Sequence, residues 1–223
     1  MNPEKKLSGE ISLIGDKSIS HRSIIFGSIA EGVSEFSNVL ISGDTTATIE
    51  IFNSLGVNIE VKEHNTLVIH GVGLNGLSKS KQALDAKSSG TTARLLTGLL
   101  ARQNFSSELI GSSQLSKRPM GRVINLLTEH GSGIKSNEGY LPIEFEQTES
   151  AFNTINTIVP SAQVKSALII ASLYHPEPTV ITEDVPTRDH TERMLSHMGV
   201  GLVRMGSSIT VPPNQILKPS SFR

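Results

Sequence analysis

Three segments of the sequence place a hydroxyl side chain at the predicted start of an apolar helix and a cation four or five residues later. The pairs are Ser18 with Arg22, Ser89 with Arg94, and Ser161 with Lys165. The free N–H groups of a helix start carry partial positive charge, so such starts suit anionic ligands. If the fold brings the three starts to one rim, they form a pocket in which a guanidinium can bind phosphate or carboxylate.

For any one of these helices the alternative is an ordinary N-cap with a solvated cation, because serine is common at that position. The first segment fits this alternative least well, since Gly15, Lys17, Ser18 and Arg22 all fall within eight residues. The segment is not a Walker loop, because it lacks the Gly-x-x-x-x-Gly-Lys frame. We therefore interpret it as an anion-binding helix start.

Two further predicted helices begin beside Arg118 and Arg188, where a cation opposes the helix dipole. Cations placed twice against the dipole indicate a ligand. Asp189 followed by Glu192 is interpreted as a helix cap, and no carboxylate has the environment expected of a general acid or base. The seven histidines show no metal-ligand spacing, so we expect no metal and no cofactor.

The amino-acid composition of the chain argues against several classes of protein. The chain has 223 residues, 20 basic and 21 acidic side chains, and a formal net charge of −1, which argues against a general nucleic-acid binder. The absence of cysteine excludes disulfides, cysteine-ligated zinc, iron–sulfur clusters and thiol nucleophiles. No apolar run approaches the ~20 residues of a membrane helix, and residues 1–6 lack the apolar segment of a secretory signal. We expect a cytoplasmic globular protein without a membrane partner.

The elements that position these residues repeat along the sequence. Ser18, Ser89 and Ser161 are 71 and 72 residues apart, and each opens an apolar helix. Each helix is followed by a strand, a second helix closed by glycine, and two more strands. The second helices are predicted at 45–55, 119–130 and 188–198, and the strands between the helices at 35–40, 105–110 and 179–182. Coincidental α/β alternation is the alternative, and the matched spacing favours a true repeat.

The predicted fold class is therefore α/β, with three helix–strand–helix–strand–strand units of about 70 residues each. The helices are expected to pack inward, with small mixed sheets facing solvent. Alternating strands distinguish this fold from a doubly wound sheet, whose strands are more continuously apolar. We place the three units at about 13–80, 81–148 and 149–216, and assign 1–12 and 217–223 to hinge or crossover segments.

Five motifs occur in the order typical of one enzyme family. They are Gly-Asp-Lys-Ser-Ile-Ser-His-Arg at 15–22, Ser-Gly-Thr-Thr-Ala-Arg-Leu at 89–95, Arg-Pro-Met at 118–120, Pro-Ser-Ala-Gln-Val-Lys-Ser-Ala at 160–167 and Thr-Arg-Asp-His-Thr-Glu at 187–192. Over nearly the whole chain they resemble the 5-enolpyruvylshikimate-3-phosphate (EPSP) synthases. The UDP-N-acetylglucosamine enolpyruvyl transferases share the fold but lack the Lys-Ser-Ile-Ser-His-Arg signature and usually carry a loop cysteine.

The resemblance implies an enolpyruvyl-transferase lobe and transfer of the enolpyruvyl group from phosphoenolpyruvate to the 5-hydroxyl of shikimate 3-phosphate, in aromatic amino-acid synthesis. The implied contacts to shikimate 3-phosphate are Lys17, Ser18, Arg22, Ser161, Ala162, Gln163 and Arg188. The implied contacts to phosphoenolpyruvate are Lys17, Gly90, Thr91, Arg118 and Gln163.

The chain departs from the family pattern at two positions. Ser88 stands where the family usually has Asn, in the phosphoenolpyruvate loop, and Ile14 stands where Pro commonly precedes the first motif. Gly90 is retained, and in this family alanine at that position hinders inhibition by glyphosate. The resemblance therefore implies that a complete enzyme containing this half is sensitive to glyphosate.

The family enzyme has two lobes of three repeats each, and its acid–base carboxylates lie in the C-terminal lobe, which this sequence does not contain. We expect the chain to carry no catalytic residue, to bind shikimate 3-phosphate weakly, and to need that C-terminal lobe as a partner for turnover. One alternative is a non-catalytic half that only binds shikimate 3-phosphate or pairs with a separate lobe. An anion-binding module unrelated to shikimate is another.

Overall fold

The computed structural model describes residues 9–11, 13–147, 154–157 and 160–222, and this part of the chain forms six α-helices and twelve strands. The helices are α1 (Lys17–Ser28), α2 (Gly43–Ser54), α3 (Gly90–Leu100), α4 (Gly121–Glu129), α5 (Ala162–Ser172) and α6 (His190–His197). The strands are β1 (Glu31–Phe36), β2 (Asn58–Lys62), β3 (Thr66–Val72), β4 (Leu84–Asp85), β5 (Ser107–Ile110), β6 (Gly133–Asn137), β7 (Tyr140–Glu146), β8 (Thr154–Thr157), β9 (Thr179–Glu183), β10 (Val203–Met205), β11 (Ser208–Val211) and β12 (Ser221–Phe222).

The strands form three four-stranded mixed sheets with one shared topology. Their orders are β12-β1-β3-β2, β4-β5-β7-β6 and β8-β9-β11-β10. In each sheet the first strand is parallel to the second, and the remaining neighbours are antiparallel. The α/β fold class with helix–strand–helix–strand–strand units is confirmed. The structure adds an edge strand to every sheet.

The edge strand of the first sheet comes from the far end of the described chain. Ser221 pairs with Glu35, and Phe222 pairs with Phe36. The N–H of Glu31 also donates to the carbonyl of Leu217, at 2.9 Å. Residues 217–222 therefore run along the outer edge of β1. Of the predicted hinge segment 1–12, residues 1–8 and 12 lie outside the described residues, as do 148–153 at the boundary predicted between the second and third units.

The first helix of each unit is central and the sheets lie outside. From Val164 onward α5 is buried along its whole length, because its residues are apolar or small on every side except at Lys165. The strands instead alternate, as in β7, whose burial switches between neighbouring residues. α3 packs along α5 at Gly98. A Cβ at Gly98 would lie 2.7 Å from the carbonyl carbon and 2.8 Å from the Cα of Ala167, so glycine sets the distance between these helices.

Glycine ends the second helix of each unit, as predicted. Gly56, Gly131 and Gly199 have φ angles of +92°, +85° and +90°, in the region that costs other residues energy. The prediction of a strand at 35–40 was wrong, because β1 spans Glu31–Phe36 and begins directly after α1. Asn38, with φ of +54°, lies in the left-handed region and breaks the extended backbone after β1. No helix in the described part of the chain is long and apolar enough to cross a membrane.

Candidate functional site

The starts of α1, α3, α5 and α6 line one cavity of about 370 Å³. The described residues that line it are Ser18, Arg22, Thr91, Pro160, Ser161, Ala162, Gln163, Arg188 and His190. Two arginines and several hydroxyl or amide groups thus face the cavity, and no carboxylate is among these residues. Such a lining suits an anion.

Serine caps two of the three first helices, as predicted. Ser89 Oγ accepts from the N–H of Thr92 at 3.2 Å, and Ser161 Oγ accepts from the N–H of Val164 at 3.4 Å. The prediction that Ser18 opens α1 was wrong, because Asp16 is the N-cap and its Oδ1 accepts from the N–H of Ile19 at 2.8 Å. A carboxylate interacts with the helix dipole more strongly than a hydroxyl does. Ser18 therefore lies in the first turn and contacts the cavity.

Arg22 is 4% exposed and is held through all three of its nitrogens. Nε donates to Thr191 Oγ1 at 2.7 Å, Nη2 donates to Ser166 Oγ at 2.7 Å, and Nη1 donates to the carbonyl of Ser18 at 3.0 Å. Burial lowers the pKa of Arg22, and the carboxylate of Glu192 opposes that shift. An arginine stays protonated in proteins even so. The cavity therefore has a fixed cation at its base.

The start of α6 differs from its predicted form. Arg188 is exposed at the cavity and lies just before the N-cap residue Asp189, whose side chain makes no capping hydrogen bond. Glu192 faces Lys165, with Oε1 2.7 Å from Nζ, so the predicted capping role of this acidic pair was wrong. A buried ammonium attracts the carboxylate more strongly than exposed backbone N–H groups do.

A second group of cations lies beside the cavity. Arg94 Nη1 donates to Gln163 Oε1 at 3.2 Å, and Gln163 Nε2 donates to Thr91 Oγ1 at 3.1 Å. Burial lowers the pKa of Arg94, and the like charges of Arg118 and Arg122 lower it further. Three guanidiniums close enough for their like charges to act on Arg94 form a region of positive potential, where an anion is stabilised.

Most predicted site residues therefore meet at this cavity or at its edge. Gly90 lies against the second group, because a Cβ there would be 2.9 Å from Nη1 of both Arg118 and Arg94. Lys17 is half exposed and bonds to Asp44 Oδ2 at 3.0 Å. Lys165, the cation predicted at the third helix start, is 1% exposed and does not line the cavity.

Sequence reasoning assigned no binding role to Arg122 or His190, which the structure places at or beside the cavity, and it named Arg94 only as the cation of the second helix start. The available signals were that Arg122 is one turn beyond Arg118, and that His190 follows Asp189 at the start of α6. No group of three or more His, Asp or Glu side chains in the described residues is arranged to hold a metal ion.

The family described as EPSP synthase (3-phosphoshikimate 1-carboxyvinyltransferase) matches residues 1–223. The chain belongs to the EPSP synthase family. It is 51% identical over 201 residues to the 3-phosphoshikimate 1-carboxyvinyltransferase of Ruthia magnifica subsp. Calyptogena magnifica, an alignment that covers 89% of this chain and 46% of that protein. It is 42% identical over 224 residues to the same-named protein of Xanthomonas euvesicatoria pv. vesicatoria, covering 97% of this chain and 51% of the relative.

A solved structure of EPSP synthase from Acinetobacter baumannii superposes with a TM-score of 0.92 at 38% sequence identity, over 96% of this chain and 48% of that one. The chain thus spans about half the length of the EPSP synthases it matches. The resemblance seen in the five motifs is confirmed, and so is the EPSP synthase fold of the lobe.

His21, within the EPSP synthase signature at 15–22, is fully buried between three helices. Its Nδ1 is 2.8 Å from Thr48 Oγ1, which is 2.7 Å from Thr92 Oγ1, and Thr92 in turn donates to Ser89 Oγ at 2.7 Å. Nε2 has no hydrogen-bond partner among the described residues. Burial lowers the pKa of His21 to about 4, although Asp44 opposes the shift. The neutral ring is therefore the form that fits this hydroxyl chain.

We expect His21 to make the chain less stable in mild acid. His21 takes up a proton near pH 6.5 in the unfolded state but only near pH 4 in the folded state. Its contribution to the free energy of unfolding is therefore complete above pH 6.5 and falls as the pH drops towards 4. Over that window the loss from this group is about 3 kcal/mol. Urea unfolding of the wild type and His21→Gln at pH 7, 6 and 5 measures it. His64→Gln, an exposed change, is the control. Equal pH slopes for all three proteins would contradict the prediction.

Proposed function

We propose that this chain supplies the shikimate-3-phosphate-binding lobe for transfer of the enolpyruvyl group from phosphoenolpyruvate to the 5-hydroxyl of shikimate 3-phosphate. One observation carries the proposal. The starts of α1 and α5 and the cations Arg22 and Arg188 converge on one cavity whose described lining contains no carboxylate. A phosphate monoester with a carboxylate on the same ring complements such a surface. Family membership supports this choice among anions.

The roles proposed for individual residues are those that the family resemblance implies, and their positions around the cavity support them. Ser161, Ala162 and Gln163 present the start of α5 to the 3-phosphate, with Arg188 adding charge, while Ser18 and Arg22 take the ring carboxylate. Gly90, Thr91 and Arg118 take phosphoenolpyruvate, with Gln163 and Lys17 shared between the two substrates. Gln163 is suited to sharing, because its amide already joins Thr91 to Arg94.

We further propose that turnover needs a second lobe, because the described cavity offers no carboxylate for proton transfer. Positioning and charge stabilisation alone do not move a proton. Calorimetry of the chain with shikimate 3-phosphate, with shikimate as the unphosphorylated control, tests the binding role. Weak binding that requires the phosphate is expected, and equal heats for both ligands would refute it. Phosphate release by the isolated chain would refute the need for a second lobe, and release only after mixing with a C-terminal lobe would support it.

Glyphosate sensitivity is a further expectation, and Gly90 is the residue that tests it. The atoms nearest to a Cβ at this position belong to the guanidinium groups of Arg94 and Arg118. We therefore expect these two side chains to move in Gly90→Ala, while the backbone keeps its position. In the complete enzyme we expect Gly90→Ala to raise the glyphosate concentration for half inhibition about tenfold or more, which corresponds to about 1.4 kcal/mol of binding. Unfolding of the isolated chain should change by less than about 1 kcal/mol. A wild-type enzyme active in millimolar glyphosate would contradict the expectation.

A further inference from the structure

A buried ion cluster lies directly behind the arginine-lined cavity. Lys165 Nζ is 2.9 Å from Glu183 Oε2 and 2.7 Å from Glu192 Oε1, and Lys165 and Glu183 are 1% and 2% exposed. Thr187 Oγ1 donates to Glu183 Oε1 at 2.5 Å, and Lys165 Nζ donates to the carbonyl of Thr187 at 3.4 Å. These four residues are named the Lys165 cluster.

The Lys165 cluster joins α5, α6 and the loop that carries Arg188. Lys165 lies on α5, one turn after Ser161, and Glu192 lies on α6. Thr187 is held through both its hydroxyl and its carbonyl, and it immediately precedes Arg188. The cluster therefore determines where the backbone that carries Arg188 lies relative to the start of α5.

A second link runs from the cluster to Arg22. Thr191, beside Glu192 on α6, accepts from Arg22 Nε, and Ser166, beside Lys165 on α5, accepts from Arg22 Nη2. The two hydroxyls are 2.7 Å apart. Two carboxylates, one ammonium and one guanidinium are thus buried together with balanced charge, which low-dielectric surroundings require. Removal of Lys165 alone would leave two buried carboxylates without the ammonium between them, and Glu192 attracted to Arg22.

We propose that the Lys165 cluster is a positioning device for the anion site: it fixes the loop that carries Arg188 and balances the buried charge, so that Arg22 remains directed at the ligand. This inference rests on the proposed function, because it concerns the same cavity. Buried ion pairs contribute little net stability compared with apolar residues of the same size, so conformational specificity is a reason to keep one.

Thr187 offers the mildest test, because its hydroxyl can be removed without a change in buried charge. We expect Thr187→Val to weaken shikimate 3-phosphate binding to the chain about fivefold. The variant loses one charge-assisted hydrogen bond, to Glu183, and that bond acts on the ligand only through the position of Arg188. Thr187→Ser keeps the hydroxyl and should bind like the wild type. Shikimate affinity should change less than twofold in both, because the loop that moves carries the cation assigned to the phosphate. Thr182→Val, which removes a hydroxyl on β9 that lies 3.0 Å from Ser208 Oγ on the neighbouring strand β11, is the matched control.

Charge balance is tested with two further variants. Lys165→Met should weaken shikimate 3-phosphate binding about thirtyfold, and Lys165→Met with Glu192→Gln, which removes one charge of each sign, should recover most of the loss. If both bind equally poorly, the charge-balance part of the inference is wrong. If Thr187→Val and Thr182→Val bind alike, the positioning part is wrong even where Lys165→Met fails to fold. If the wild type binds shikimate 3-phosphate and shikimate equally well, the proposed function itself is wrong, whatever the variants show.

Discussion

Arg22→Gln is expected to weaken shikimate 3-phosphate binding to the isolated chain about 100-fold, or about 3 kcal/mol. Arg22 is the cation at the base of the cavity, and three hydrogen bonds, to Thr191, Ser166 and the carbonyl of Ser18, fix its guanidinium before any ligand arrives. A fixed cation spends no side-chain entropy on binding. Gln can replace at most some of these hydrogen bonds and supplies no charge. Isothermal titration calorimetry at constant ionic strength measures the loss.

Two further variants distinguish the effect of the positive charge of Arg22 from that of its planar guanidinium. Arg22→Lys keeps the charge but lacks the planar fork, so we expect it to recover less than a tenth of the lost affinity. Arg204→Gln removes an exposed arginine on β10 and is the matched control, with affinity expected within twofold of the wild type. Thermal unfolding of each variant shows whether it is folded at the titration temperature. Similar affinities for Arg22→Gln and Arg204→Gln would show that the cavity is not the binding site.

Gly98→Ala is expected to destabilise the chain by about 3 kcal/mol, although alanine is the better helix former by about 1 kcal/mol. The added Cβ would overlap the backbone of Ala167 in α5, which is the carbonyl group and Cα of a second central helix rather than a movable side chain. Both helices are buried, so neither can retreat without opening space elsewhere in the core. For a chain of this size the change corresponds to a fall in melting temperature of about 10 °C.

Gly43→Ala is the matched control. Gly43 begins α2, and a Cβ there meets nothing within 4 Å, so the same change should be neutral or stabilising by up to about 1 kcal/mol. Urea unfolding of both variants at pH 7 gives the difference in the free energy of unfolding. The contact at Ala167 would have no importance for stability if the two variants unfolded at the same urea concentration.

Much of the fold could be predicted from local sequence patterns. The second helices were located because glycines close them, and the first helices because apolar residues recur over three turns after a serine. The edge strands β4, β8 and β12 were missed because two to four residues carry no detectable period and their pairing partners are distant in sequence. Ser18 was misread as a helix start because Asp16 and Ser18 are both favourable capping residues and stand only two positions apart.

The candidate site could be predicted in outline only. Hydroxyls and cations at helix starts pointed to the cavity that Ser161, Gln163 and Arg22 line. The same pattern placed Lys165 at the site, whereas its partners Glu183 and Glu192 hold it behind the cavity. Nothing local in the sequence distinguishes a cation that faces a ligand from one neutralised by carboxylates 18 and 27 residues away. That distinction depends on which strand and helix pack against α5.

The strand β12 has a consequence for how the chain is made. In the second and third units the edge strand precedes its helix and is synthesised first, but in the first unit it is residues 221–222, which pair with Glu35 and Phe36. Until those residues leave the ribosome, β1 has one edge unpaired, and an unpaired edge can recruit another chain. Slow or interrupted synthesis should therefore expose the first sheet to aggregation, and a permuted chain that begins with these residues should avoid that risk.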